Sequence, residues 1–176
     1  MTDRAPERQP LVRPATLDDA RAIAEIRVAS WRATYAGTVP ASILDWMDVD
    51  RNEAWLRGLI REGRTILVVE DSAGRAAGYA MAGPARDDDA DGFGEIEAIY
   101  LAPEARGRGL GAPLLAAARA TLARAGHHTH VLWVLTDNWP ARRFYERQGF
   151  AADGAVRTLD FDGTPIEEVR YRRSAG

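Results

Sequence analysis

The sequence predicts a single α/β domain, a mixed sheet with helices packed on it. Three observations carry this. Short β-branched runs alternate with longer segments of helical spacing, turn signals separate one from the next, and neither an internal repeat nor an obvious linker interrupts the series. The elements follow the order β, two or three helices, a ββ hairpin, β, α, β, α, ββ. A chain of 176 residues suits one domain with a real core.

Residues 11–13 read as a short first strand. Thr16 then caps a helix with Asp18 and Asp19 in its first turn, where acids suit the dipole. Ile23, Ile26 and Ala29/Ser30 keep helical spacing, and this helix reaches about Arg32. Residues 35–40 form a loop, and Pro40 lies at the first turn of a short second helix ending near Met47. Asp50 and Glu53 resemble a capping box for a third helix, with Leu56, Leu59 and Ile60 inward and Gly63 as its stop. Residues 65–70 and 75–83 pair as a hairpin about the turn at 71–74. An acidic loop over 84–92 precedes a strand ending at Leu101. A helix follows from about Gly109 to Ala125, with Pro113 in its first turn, where a missing N–H is harmless. A dense apolar strand occupies 130–136, and a helix runs from 140 to 148 and stops at Gly149. A second hairpin, 156–161 and 166–173, turns at Asp162-Gly163.

Composition narrows the function. The hydrophobic fraction of 46% and charged fraction of 28% describe a globular chain, and the polar residues 1–8 are expected to be a disordered tail ahead of a domain over 9–173. A net charge of −3 argues against a general nucleic-acid binder. No apolar run is long enough to cross a membrane, and the N-terminus lacks a signal-peptide core, so a cytoplasmic location is expected. With no cysteine, an acyl group cannot rest on a thiol of this chain.

The most informative stretch is 95–111. An apolar strand enters the loop Arg106-Gly107-Arg108-Gly109-Leu110-Gly111, which opens directly into an Ala/Leu-rich helix. Glycines at alternate positions permit a sharp turn close to a ligand, and the helix N-terminus offers unpaired N–H groups to an anion. Arg106 and Arg108 add positive charge. A dinucleotide fingerprint would place its third glycine one residue later, and a P-loop needs a Lys, of which the chain has none. Arg-x-x-Gly-x-Gly at a strand-to-helix junction instead resembles the coenzyme A pyrophosphate loop of the GNAT superfamily of N-acetyltransferases. The element order is similar to theirs over roughly 11–173. The segment Asn138-Trp139-Pro140-Ala141-Arg142-Arg143-Phe144-Tyr145-Glu146-Arg147-Gln148-Gly149-Phe150 resembles their second motif, an Asn-capped helix ending Phe-Tyr-x-x-x-Gly-Phe.

The resemblance implies a GNAT-like, mostly antiparallel sheet with helices on both faces. It also implies an acetyl-CoA-dependent enzyme acting on a small-molecule or peptide amine, and it is compatible with a homodimer. Residues Arg106, Gly107, Arg108, Gly109, Leu110 and Gly111 would hold the pyrophosphate, the backbone at Ile99 and Leu101 would pair with the pantetheine arm, and Asn138 would contact the cofactor. Tyr145 would protonate the leaving thiolate.

An amine of pKa near 10.4 needs about 4.6 kcal/mol to lose its proton at pH 7, which calls for a base. Glu97, within the apolar strand before the loop, is the candidate; a rim carboxylate without a catalytic part is the competing reading. Alternation places Glu95, Glu97 and Ile99 on one face and Ile96, Ala98 and Tyr100 on the other, with Glu95 the more solvent-exposed acid. Trp31 and Tyr35, in a Trp-x-x-x-Tyr-x-Gly segment, either wall the acceptor pocket or pack in the core. The acidic loop favours a cationic acceptor. Its Asp87-x-Asp89-x-Asp91-Gly92 lacks a Glu at the twelfth position of a calcium loop, and His127, His128 and His130 have no evident co-ligand, so no metal is expected. A non-catalytic acyl-CoA-binding module and an O-acyltransferase are the competing functional readings.

Overall fold

The computed structural model describes residues 10–174, so the tail expected over 1–8 lies outside the described residues. A seven-stranded sheet runs in the order β1-β2-β3-β4-β5-β7-β6, and every neighbouring pair is antiparallel except β4–β5. The strands are β1 (Val12–Pro14), β2 (Thr65–Glu70), β3 (Ala76–Pro84), β4 (Gly94–Leu101), β5 (Thr129–Leu135), β6 (Ala151–Phe161) and β7 (Thr164–Ser174). Five α-helices accompany them: α1 (Ala20–Tyr35), α2 (Ala41–Trp46), α3 (Val49–Arg61), α4 (Gly111–Arg124) and α5 (Trp139–Arg147).

Helices cover both faces of the sheet. On one face α4 turns Leu114, Leu115, Ala118 and Leu122 onto β2, β3 and β4, a spacing of one helical stripe. At Gly94 the approach leaves no room for a side chain, since a Cβ would lie 2.9 Å from Leu122. On the other face α1 buries Ile23, Ile26 and Ser30, while Ala29 points outward. The α3 helix contributes Leu56, with Leu59 and Ile60 half-buried against the core. Strand β2 lies in the middle of these layers, and its run Ile66-Leu67-Val68-Val69 is buried throughout, as befits a strand covered on both sides.

Thr16 caps a 3₁₀ turn (Leu17–Asp19) that holds Asp18 and Asp19 and runs directly into α1 at Ala20; Asp19 accepts from the Thr16 N–H and hydroxyl and from Arg13. Two local readings are corrected. Asp48, not Asp50, caps α3, because its Oδ1 accepts the Arg51 N–H at 2.8 Å. Asp50 is left to bind Arg21 at the surface. Strand β6 starts at Ala151, five residues earlier than its sequence pattern suggests: the register shifts between Ala152 and Val156, with Gly154 at φ +94°. Such a bulge interrupts the period-2 alternation by which a strand is recognised.

Candidate active site

The site opens where the sheet divides. Strands β4 and β5 pair only at Gly94↔His130 and Glu95↔Val131, and beyond these rungs they part. A cavity of about 850 Å³ fills the gap, lined by β4 from Glu95 to Leu101, by the loop before α4, by α5 and by β5. The N–H of Ala102 bonds the carbonyl of Ala77, which fixes the parity of the β3–β4 ladder: Tyr100 and Ala98 also bond inward, and Ile99 and Leu101 turn their peptide groups toward the gap. The Leu101 carbonyl accepts from Ser30 Oγ at 2.7 Å, leaving its N–H and both groups of Ile99 facing the cavity.

At one end of the gap lies the glycine loop. Gly107 and Gly109 adopt φ +74° and +76°, which only glycine occupies without strain, while a Cβ on either would meet open space. Their glycine requirement is therefore conformational rather than steric. The N–H groups of Gly107, Arg108, Gly109 and Leu110 bond nothing among the described residues, and they sit at the N-terminus of α4. Arg106 ties the loop to α1 through Thr34 Oγ1 at 3.0 Å. The set of unpaired donors, two loop arginines and the outward amides of β4 fits an extended ligand with a phosphate group at one end and amides along its arm, which is the chemistry of coenzyme A. Of the loop residues, Arg108 alone does not line the cavity.

Facing β4 across the gap is α5. Asn138 caps it, Oδ1 accepting from the Ala141 N–H at 3.3 Å, which leaves its amide NH₂ for the cavity. Phe144 packs on Gly111, where a Cβ would sit 3.3 Å from its ring. Tyr145 is buried between Phe150 and Tyr171, lines the cavity, and its hydroxyl bonds no described residue. Burial pushes the Tyr145 phenol well above its ordinary value, so it stays protonated at neutral pH.

The other end of the cavity is walled by Tyr35, Thr38, Tyr100, Trp133, Arg86, Arg157 and Glu168. Tyr35 and Tyr100 approach hydroxyl to hydroxyl at 3.3 Å, and burial raises both phenols. Trp31 stands behind this wall: it packs edge-on against Tyr35 at 4.9 Å and near Phe161, outside the cavity lining. Of the two residues, Tyr35 lines the cavity and Trp31 packs behind it.

The two carboxylates of β4 are not arranged as simple alternation predicts. Gly94 faces Leu122 and Leu101 touches the Gly111 end of the same helix, although an odd separation should put them on opposite faces. The register shift opposite Met81/Ala82 supplies the extra residue. Glu95 consequently faces away from α4, on the Tyr100 side, and is 2% exposed rather than the more solvated of the pair. Arg86 covers it, Nη2 at 2.6 Å and Nε at 3.0 Å. Glu97 also lines the cavity, and Arg64 Nη2 reaches both its oxygens, at 2.5 and 2.6 Å.

The acidic loop is solvated at Asp88, Asp89 and Asp91 and anchored at Asp87 and Asp89. Arg170 on β7, 6% exposed, bonds Asp89 through two nitrogens at 2.6 and 2.7 Å and Asp87 at 3.3 Å, and Asp87 also takes the Trp133 indole N–H at 2.9 Å. Asp87 is thus engaged, while Asp88, Asp89 and Asp91 remain exposed to solvent. Arg86, Arg157, Arg64 and Glu168 went unnoticed in the sequence because each acquires its place by pairing with a distant residue.

The model of the acetyltransferase (GNAT) family matches residues 21–150. The uncharacterized N-acetyltransferase YuaI of Bacillus subtilis is 33% identical over 159 residues, covering 90% of this chain and 89% of its own. An L-methionine sulfoximine/L-methionine sulfone acetyltransferase of Pseudomonas paraeruginosa is 34% identical over 112 residues, 62% of this chain and 64% of that one. Among solved structures, an acetyltransferase from Salmonella typhimurium with acetyl-CoA superposes at a TM-score of 0.71, covering 96% of this chain and 95% of that one. At 24% identity that likeness is one of fold.

Proposed function

This chain belongs to the GNAT acetyltransferase family, and on that premise we propose how its own residues serve the transfer of an acetyl group from acetyl-CoA to an amine. The observation that carries the reading is the gap between β4 and β5, with outward amides on one wall, unpaired loop donors at one end and the Tyr145 phenol, bonded to no described residue, between. Bound acetyl-CoA supplies the acetyl group as a thioester, already activated toward an amine.

The loop 106–111 holds phosphate oxygens through main-chain N–H groups, and Ile99 and Leu101 bind the arm as an added strand would. The Asn138 amide donates from the opposite wall. Tyr145 directs its hydroxyl at the leaving sulfur. A phenol near 10 and a thiol near 8.5 make complete transfer of that proton uphill by about 2 kcal/mol even before burial raises the phenol. Its contribution is therefore donation of a hydrogen bond that strengthens as charge develops on sulfur. Glu97 receives the amine proton, directly or through water, once Arg64 yields one of its two oxygens. Tyr35 and Tyr100 shape the acceptor side. The acceptor is a small-molecule or peptide amine, and no described helix is long and apolar enough to cross a membrane.

Calorimetric titration of acetyl-CoA into the protein, followed by an amine screen read by thiol release, tests the assignment. Micromolar-range binding that Gly109→Glu abolishes is the expected result. Folded protein that binds no acetyl-CoA would remove the assignment.

A further inference from the structure

Resting on the acetyltransferase reading above, we propose that the acceptor is an amine that also carries a carboxylate, an amino acid or a close analogue, and that Arg86 and Arg157 bind that carboxylate.

Both arginines line the acceptor end of the cavity, and each is fixed from behind by an acid. Glu95 is spent on Arg86: Oε1 takes Nη2, and Oε2 takes Nε and the Arg86 main-chain N–H. The side-chain exposures, 62% for Arg86 and 3% for Glu95, show which member of the pair a ligand meets. Arg86 Nη1 bonds no described residue, so one edge of the guanidinium is available. Arg157 repeats the arrangement. Its Nε and Nη2 both go to Glu168 Oε2, at 2.8 and 2.7 Å, its Cζ lies 4.2 Å from the centre of the Trp133 ring, and its Nη1 stands 3.9 Å from Asp87 Oδ1, beyond hydrogen-bond distance.

Glu95 and Glu168 line the same cavity, but each already accepts from an arginine, so an incoming ammonium meets acids whose charge is matched. A carboxylate meets donors already oriented, and the acids behind cancel the repulsion of placing two arginines at one cavity. Geometry that is settled before binding costs the ligand little ordering entropy. The loop that carries Arg86 is itself anchored, since Arg170 holds Asp87 and Asp89 immediately after it. An arginine edge is also the side chain best matched to a planar carboxylate. The amine of such an acceptor would then lie toward Glu97 and the phenols of Tyr35 and Tyr100, which line the same space.

The test is a thiol-release assay over the proteinogenic L-amino acids, each as free acid and as carboxamide, with cadaverine as a diamine lacking a carboxylate. Acetyl-CoA binding is measured beside it by calorimetry. At least one acid should exceed its own amide by about tenfold or more in kcat/KM, the effect of one charge-assisted hydrogen bond, mainly through KM. Arg86→Gln should collapse that ratio toward unity and Arg86→Lys should restore part of it, with thermal melting to confirm folding. If Arg86→Gln does not fold, Arg157→Gln reads out the same ratio. Amides or cadaverine used as well as the acids would overturn the proposal, as would acetyl-CoA binding with no acid acetylated. Failure of acetyl-CoA itself to bind would instead overturn the underlying acetyltransferase reading, and this proposal with it.

Discussion

Replacing Gly109 by Ala, with Gly63→Ala as its matched control, separates a glycine that holds a ligand from one that holds the fold. Both residues adopt nearly the same left-handed conformation, φ +76° and +75°, and a Cβ on either meets no atom within 4 Å. Each alanine therefore carries the same intrinsic strain, about 1–2 kcal/mol, without a clash. What differs is how the surrounding backbone is held. At Gly63 the turn is closed by Gly63 N–H to the Ile60 carbonyl at 3.1 Å and Arg64 N–H to the Leu59 carbonyl at 3.0 Å. The strain cannot relax without breaking those bonds, so it should appear in full as lost stability. At Gly109 the amides on either side bond nothing among the described residues. The free loop can shift to a relaxed conformation, and stability should fall by under about 0.5 kcal/mol. The strain returns when the ligand demands the original conformation, and acetyl-CoA affinity should weaken by about 5- to 30-fold. Urea denaturation and calorimetry read the two quantities. If Gly109→Ala destabilises as much as Gly63→Ala and leaves Kd within about twofold, the loop is a structural connection and does not bind the cofactor.

Tyr145→Phe should lower kcat about 10- to 100-fold with little change in acetyl-CoA affinity, because only a hydrogen bond to a charging sulfur is lost. The hydroxyl bonds no described residue, so the melting temperature should hold; an unchanged kcat would remove Tyr145 from the chemistry. Glu97→Gln should abolish the acidic limb of the pH–rate profile, and a variant that keeps the wild-type limb would discard Glu97 as the base. Asp19 offers a test on the fold alone. Its carboxyl is held down at about 2 by the Arg13 guanidinium, which donates at 2.7 and 2.9 Å against the opposing cost of burial. Such a lowered group contributes stability that is complete above its unfolded value of 3.8 and is lost as pH falls through about 2, worth about 2 kcal/mol. Asp19→Asn should remove that much at pH 7 and flatten acid unfolding between those limits; an unaltered acid limb would show that another group controls it.

The parts of the structure that could be read in advance are those set by neighbours in sequence. The loop 106–111 and α4 follow from glycine spacing and an apolar stripe, and β2 from a β-branched run. Where two local signals compete, spacing alone does not decide: Asp48 and Asp50 are both plausible caps, and only the side chain that reaches Arg51 N–H does the capping. Bulges mislead further. One extra residue in β4 moves Glu95 to the Tyr100 face, and the bulge in β6 hides half of that strand. The acceptor end was the least legible. Arg86 finds Glu95 nine residues away and Arg170 finds Asp89 across 81, and no periodicity reports a contact between residues so far apart.

The two rungs between β4 and β5 have a mechanical consequence. Every other seam of the sheet is a ladder of three to eight residue pairs; here main-chain pairing joins the first four strands to the last three only at Gly94 and Glu95, and side chains reinforce it where Trp133 and Arg170 hold Asp87 and Asp89. Beyond those two rungs the facing edges of β4 and β5 carry no main-chain ladder, and the two parts of the sheet meet there through side chains. A ligand whose amides bridge Ile99 and whose far end rests on α5 acts as a splint across both. Binding then supplies the bonds that the open edges lack, and the amides bordering the gap should exchange with solvent far more slowly once it is in place.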